Sequence, residues 1–182
     1  MTVCTQTTFE FQGLGRRKVT ADFKGGHLSS DGGGLLLREV EKKLALIDRL
    51  AACFSDQRKQ EYVEHPLDQM LRQRVLGLAL GYEDLNDFNR LRVDPLHALL
   101  AERADLLGMD RVREEDEGKA LAGHATLNRL ELGAEKTDER YKKIQPDFAA
   151  IEQLLIEEGV KRIPRRSNTI ILDFDATDDP LH

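Results

Sequence analysis

Apolar residues recur along this chain with two periods, and the switch between them marks out its elements. Phe9 and Phe11, then Val19, Ala21 and Phe23, alternate with polar residues on either side of GLGRRK, and GGH closes the segment. A small hairpin within residues 7–28 is expected, because side chains on a strand alternate between faces. After SSDGGG the spacing lengthens: Leu36, Val40, Leu44, Ile47 and Leu50 in LLLREVEKKLALIDRLAACF fit one helix, with Ser30 or Asp31 placed to cap it. Leu67, Met70, Leu71, Val75, Leu78 and Ala79 predict a second helix over 67–80, with Pro66 suited to its first turn, Arg72, Gln73 and Arg74 near or opposite the stripe, and Gly81 as its stop. A third short helix is expected over 82–91, and a fourth from Asp94-Pro95 through Leu100 to about Leu107.

Further along, RVREEDEGK has no periodic apolar residue and reads as a solvated loop. Thr126 can cap a brief helix carrying Leu127, Arg129, Leu130 and Glu131, closed by Gly133; the pattern reads as an ordinary capped helix ahead of a helix-turn-helix reader. Tyr141, Ile144, Phe148, Ile151, Leu154 and Leu155 predict a last helix over 138–159, bent at Pro146. The period then returns to two: Ile170, Leu172 and Phe174 alternate with Ile171, Asp173 and Asp175, and DDP ends the strand. The expected class is α+β: an N-terminal hairpin region (1–34), a helical domain (35–160), and a basic linker leading into a strand (161–182).

Composition adds limits. With 182 residues and 40% apolar content the chain can bury a core, and 5% aromatics with no Trp beside 33% charged residues favours helices over a β-sandwich. The formal charge of −6 argues against coating nucleic acid indiscriminately, while a local basic patch can still hold phosphates. Cys4 and Cys53 lack metal-knuckle spacing and read as free thiols of a reducing compartment. No signal peptide and no apolar run of about 18 residues is present, so a cytoplasmic protein without a membrane partner is expected.

The chemistry concentrates at the acidic strand. Asp173 and Asp175 share one face, roughly 6 to 7 Å apart on a regular strand, beside Thr177, Asp178 and Asp179. Crowded carboxylates repel unless a cation or an attacking group uses them, which points to a divalent metal or phosphoryl chemistry. A solvated strand end would also look like this. Two chemical readings remain open on these residues: the first strand of a ribonuclease-H-like nuclease or transposase, or the Asp-x-Asp-x-Thr signature of a haloacid-dehalogenase-type phosphohydrolase with Asp173 as nucleophile and Asp175 as general acid. The run Lys161 to Arg166 serves equally as a solvated linker or as a place for a phosphate backbone. The glycines of SSDGGG could cradle phosphate, but no GxGxxG or Walker spacing accompanies them, and a turn with a cap is the reading kept.

Four phrases in order, GGHLSSDGGGLLLREVEKKLALIDRLAACFSDQRKQEYVEHP, QRVLGLALGYEDLNDFNRLRVDP, LAGHATLNRLE and IILDFDATDDPLH, resemble the N-terminal part of bacterial insertion-sequence transposases of the DDE type, transposase DDE domain group 1. The resemblance implies that the last strand opens a ribonuclease-H-like core and that Asp175 supplies the first metal-binding acid, with Asp173 as the fallback. It implies Mg²⁺ or Mn²⁺ as cofactor, and double-stranded DNA as partner: the terminal inverted repeats and the target. It implies self-association on that DNA, nucleoid association while bound, and two-metal strand cleavage and joining. Arg129, Arg162, Arg165 and Arg166 are the candidate phosphate contacts. Because the remaining acids would fall beyond His182, the chain is expected to be an N-terminal fragment, inactive alone. A catalytically dead DNA-binding relic is the other outcome consistent with this pattern.

Overall fold

The computed structural model describes residues 8–25, 28–131 and 143–164, together with 166, 169 and 171. The expected hairpin forms: β1 (Thr8–Leu14) pairs antiparallel with β2 (Arg17–Asp22), setting Phe9 opposite Ala21 and Phe11 opposite Val19. An irregularity between Phe11 and Leu14 lets the chain turn through Gly15, whose φ of +58° a side chain would resist. Val19 is buried in one apolar cluster with Leu35, Met70, Leu76, Phe88, Leu100 and Leu127, so the hairpin lies on the helices.

The long helix anticipated after the glycines is two. α1 (Gly34–Leu44) stops at Ala45, which takes a left-handed φ of 49°, and α2 (Leu46–Ala51) starts immediately. Glu41 explains the break, because its carboxylate accepts hydrogen bonds from the backbone N–H groups of Leu46 and Ile47 at 3.2 and 2.8 Å. Those are free donors of the second helix's first turn, and a carboxylate there satisfies them. The buried face of α1 also differs from expectation. Leu35, Arg38 and Glu41 point inward, while Leu36, Val40 and Leu44 face solvent. Neither Ser30 nor Asp31 caps α1 with its side chain; the cap residue is Gly33, and Asp31 is engaged elsewhere.

β3 (Phe54–Asp56) was not anticipated. α3 (Leu67–Ala79) follows as expected from Pro66, although Arg72 and Gln73 lie on its buried face and Leu78 is exposed. Gln73 is satisfied there by a two-way exchange with the backbone of Ala122, at 2.8 and 3.2 Å. The third helix reduces to a 3-10 turn (Leu85–Asp87) running into α4 (Phe88–Leu91). α5 (Pro95–Leu100) begins as expected, with the Asp94 carboxylate capping Leu96 N–H at 2.8 Å, but ends before Leu107. The segment Arg111–Lys119 is more than a solvated loop: it contains a 3-10 turn (Glu114–Asp116), and the Arg111 side chain is buried.

α6 (His124–Glu131) takes Thr126 inside the helix rather than at its cap; Gly133 lies outside the described residues. The last expected helix is corrected at its start. Ile144 belongs to β4 (Ile144–Pro146), which pairs antiparallel with β3, and α7 (Phe148–Arg162) begins only after Asp147 caps Ala150 N–H at 3.0 Å. Pro146 therefore ends a strand and bends no helix, and Phe148 is exposed. Tyr141, the expected strand over 170–175 apart from Ile171, which is exposed, and the ribonuclease-H-like core that strand was expected to open lie outside the described residues. What stands among them is a mixed, mostly helical fold with two small antiparallel sheets, in which no helix is long and apolar enough to cross a membrane.

Gly108 supports the loop before α6. Its φ is +67°, and an added Cβ would fall 2.4 Å from the Ala120 nitrogen and 2.7 Å from the Lys119 carbonyl carbon. Backbone cannot swing aside as a side chain can, and Ala120 and Leu121 behind it are buried. Gly108→Ala is expected to cost about 3 kcal/mol, combining left-handed strain with overpacking. Gly118→Ala, also at positive φ but with nothing near, should cost only about 1 kcal/mol. Urea melts of the two variants give the comparison.

Candidate nucleic-acid interface

The basic end of α7 is organised by one acid. Glu158 is buried, and its carboxylate accepts from Arg49 Nη1 on α2, from Lys161 Nζ at 2.8 Å and from Arg162 Nη1 at 3.0 Å; Arg162 also donates to the Glu158 carbonyl at 2.6 Å. The bond from Arg49, then those from Lys161 and Arg162, pull the Glu158 carboxyl down to about 2. One carboxylate is thus shared among three cations, and the last turn of the helix stays net positive. Lys161 and Arg162 remain 60% and 52% exposed, at the helix end where cations also offset the dipole. Arg166 follows, exposed; Arg165 lies outside the described residues.

Arg129 occupies a separate element. It is exposed on α6, whose Leu127 and Leu130 are buried against the core. Arg74 of α3 ties that helix down: its Nε pairs with Glu131, while Nη1 and Nη2 donate to the carbonyls of Tyr82 and Glu83 at 3.0 and 2.9 Å, and its guanidinium lies 5.3 Å from the Phe88 ring centroid. α6 packs on α3 and β4, and α7 packs on α2. The candidates are therefore presented from two supports, α6 for Arg129 and the end of α7 for Arg162 and Arg166.

The glycine-rich motif between the hairpin and α1 has a different role from a phosphate cradle. Asp31 Oδ2 accepts from the Tyr82 hydroxyl at 2.8 Å and pairs with His97 Nε2 at 2.9 Å, and Ser30 Oγ donates to Oδ1 at 3.1 Å. Burial raises the Asp31 carboxyl, but the bonds from His97, Tyr82 and Ser30 outweigh it and hold the group below its usual range. A Cβ on Gly34 would meet Leu100 Cδ1 at 2.7 Å. The motif thus pins the start of α1 against α5, with carboxylate and backbone both committed. No sequence period signals such a pin; the available hint is an Asp directly before three glycines.

The chain from residue 11 to residue 182 matches the family described as transposase DDE domain group 1. The chain belongs to this family. No curated protein and no solved structure matches it. The matched span of this transposase-family chain takes in the acidic stretch that holds Asp173 and Asp175. Both aspartates lie outside the described residues. Among the described residues there is no group of three or more His, Cys, Asp or Glu side chains that could hold a metal ion.

Proposed function

We propose that this chain engages DNA for a transposition reaction, with its helical part (35–160) as the DNA-end-binding domain and residues 161–182 leading into the catalytic one. The observation that carries the reading is the family match over residues 11–182. In this reading the partners are the element's terminal inverted repeats and target DNA, and copies of the protein assemble on that DNA in the cytoplasm, at the nucleoid. Phosphate contacts come from Arg129, Arg162, Arg165 and Arg166, which act on every sequence alike.

Asp175 is the acid assigned to a divalent ion, Mg²⁺ or Mn²⁺, with Asp173 as the alternate on the same face. Such an ion supplies Lewis-acid stabilisation of charge on phosphoryl oxygens during strand cleavage and joining. The carboxylate's own task is to hold it. Asp175→Asn should leave DNA affinity unchanged and weaken Mn²⁺ uptake, which electron paramagnetic resonance of the free ion reports.

The test of DNA engagement is a titration against salt. Each of Arg129→Ala, Arg162→Ala, Arg165→Ala and Arg166→Ala should lower the slope of log affinity on log salt by about one and weaken binding uniformly across sequences. Unchanged slope in the quadruple variant would remove these four arginines from the interface.

A further inference from the structure

We propose that the tip of the β1–β2 hairpin is a second contact for duplex DNA, taking the phosphate backbone with Arg16 and Lys18. This rests on the reading of the chain as a DNA-engaging protein and adds a surface which that reading did not use. GLGRRK puts three cations at one tight turn, Arg16 in it and Arg17 and Lys18 at the start of β2. Among the described residues Arg16 and Lys18, both exposed, make no hydrogen bond or ion pair, whereas Arg17 donates to the Ala104 carbonyl at 2.9 Å and so ties the tip to the loop after α5. Arg16, Arg17 and Lys18 line a shallow cavity of about 270 Å³ with Gly13 and Gly15, open for a phosphate to approach.

Free cations on a floppy loop would be ordinary, and the tip is not built that way. Arg38, almost wholly buried beneath it, donates to the carbonyls of Gln12 and Gly13 at 2.6 and 3.1 Å, and Lys42 Nζ donates to Gly13 at 3.2 Å. Glu39 accepts the Gln12 N–H at 2.6 Å. A Cβ on Gly13 would meet the Arg17 carbonyl at 2.8 Å, so the strands close more tightly there than another residue would allow.

The local charge also favours an anion. Glu102 is bound by Arg38 and Lys42, and Glu39 lies beside Arg38, which leaves Glu10 as the one acid on the cavity against Arg16, Arg17 and Lys18. On a chain of formal charge −6 this is a basic point held on a stiff two-stranded ribbon. A ribbon of that kind reaches a duplex groove while its cations meet the flanking phosphates.

The experiment titrates the full chain onto a duplex of about 30 base pairs, of terminal or unrelated sequence, between about 50 and 200 mM salt. Removing two phosphate contacts in the double variant Arg16→Ala, Lys18→Ala should reduce the slope by about two and weaken binding about tenfold or more at the higher salt, equally on both duplexes. Arg16→Lys with Lys18→Arg should keep the wild-type slope, and the melting temperature of both variants should match wild type because neither side chain has a partner in the fold. A wild-type slope in the alanine variant would overturn the hairpin contact alone. No binding by the wild-type chain to either duplex would overturn the DNA reading and the hairpin contact together.

Discussion

Replacing Arg38 by Ala should lower the stability of the chain by about 3 to 5 kcal/mol, the usual cost of removing one partner from a buried, hydrogen-bonded ion pair. Arg38 is the largest of the fully buried side chains, and its donors are spent on three acceptors from two directions: Glu102 Oε1 at 2.6 Å, and the carbonyls of Gln12 and Gly13. Alanine would leave the Glu102 carboxylate with Lys42 alone, at 3.4 Å, and two strand carbonyls with a cavity in front of them. For a protein of this length a loss of that size moves the melting temperature by roughly 10 °C. Arg38→Lys keeps the charge but not the planar fork that spans strand and helix, and it should recover less than half of the loss. A melting temperature within a degree or two of wild type in Arg38→Ala would show that the hairpin is held by Val19 and its apolar neighbours alone. Since the same guanidinium supports the basic tip, the variant should also shallow the salt dependence of DNA binding without touching Arg16 or Lys18.

Arg38 also illustrates what the sequence could and could not reveal. The hairpin was legible because Phe9, Phe11, Val19 and Ala21 keep strict alternation across a glycine turn. α3 and α5 were legible because a proline and a glycine, or an Asp-Pro pair, punctuate them. The face of α1 was not, since the rule that apolar residues turn inward ranks Leu36, Val40 and Leu44 above Arg38 and Glu41. That rule holds until a buried arginine and glutamate each find several partners contributed by distant segments, and Gln12, Glu102 and Leu46 are not recognisable as partners before the chain is folded. β3 and β4 escaped for a different reason: three residues are too few to display a period, and Ile144 fitted a helical stripe that its neighbours then contradicted. At the candidate site the basic residues were readable as a run, but Glu158, which holds Lys161 and Arg162 together, looked like one more acid on a charged helix. The acidic stretch ending the chain was the clearest chemical signal in the sequence, and its reading as a metal-binding strand rested on the order of motifs around it rather than on its own spacing.

Acidification should destabilise the fold through His65, well before the carboxylates protonate. Arg111 Nη1 donates to His65 Nε2 at 2.7 Å, and a guanidinium has no lone pair to accept in return. The ring nitrogen facing it must therefore be unprotonated. Burial, then the charges of Arg111, Arg103 and Arg58, lower the His65 pKa from 6.5 to about 3. The sign follows from linkage: below pH 6.5 the unfolded chain takes up a proton at this histidine that the folded chain refuses, so stability present at neutral pH is lost as pH falls toward 3. Fully developed, the loss is on the order of 5 kcal/mol. His65→Gln retains a side-chain acceptor for Arg111 and cannot take a proton, so whatever it costs in packing is the same at every pH. The difference in stability between wild type and His65→Gln, measured by urea melts at intervals from neutrality to pH ~4.5, should shrink by about 1.4 kcal/mol per pH unit below 6.5. Parallel curves would mean that Arg111 moves away on protonation, and that its bonds to Glu64 at 2.5 Å and to the Lys119 carbonyl at 3.2 Å hold the loop without the histidine.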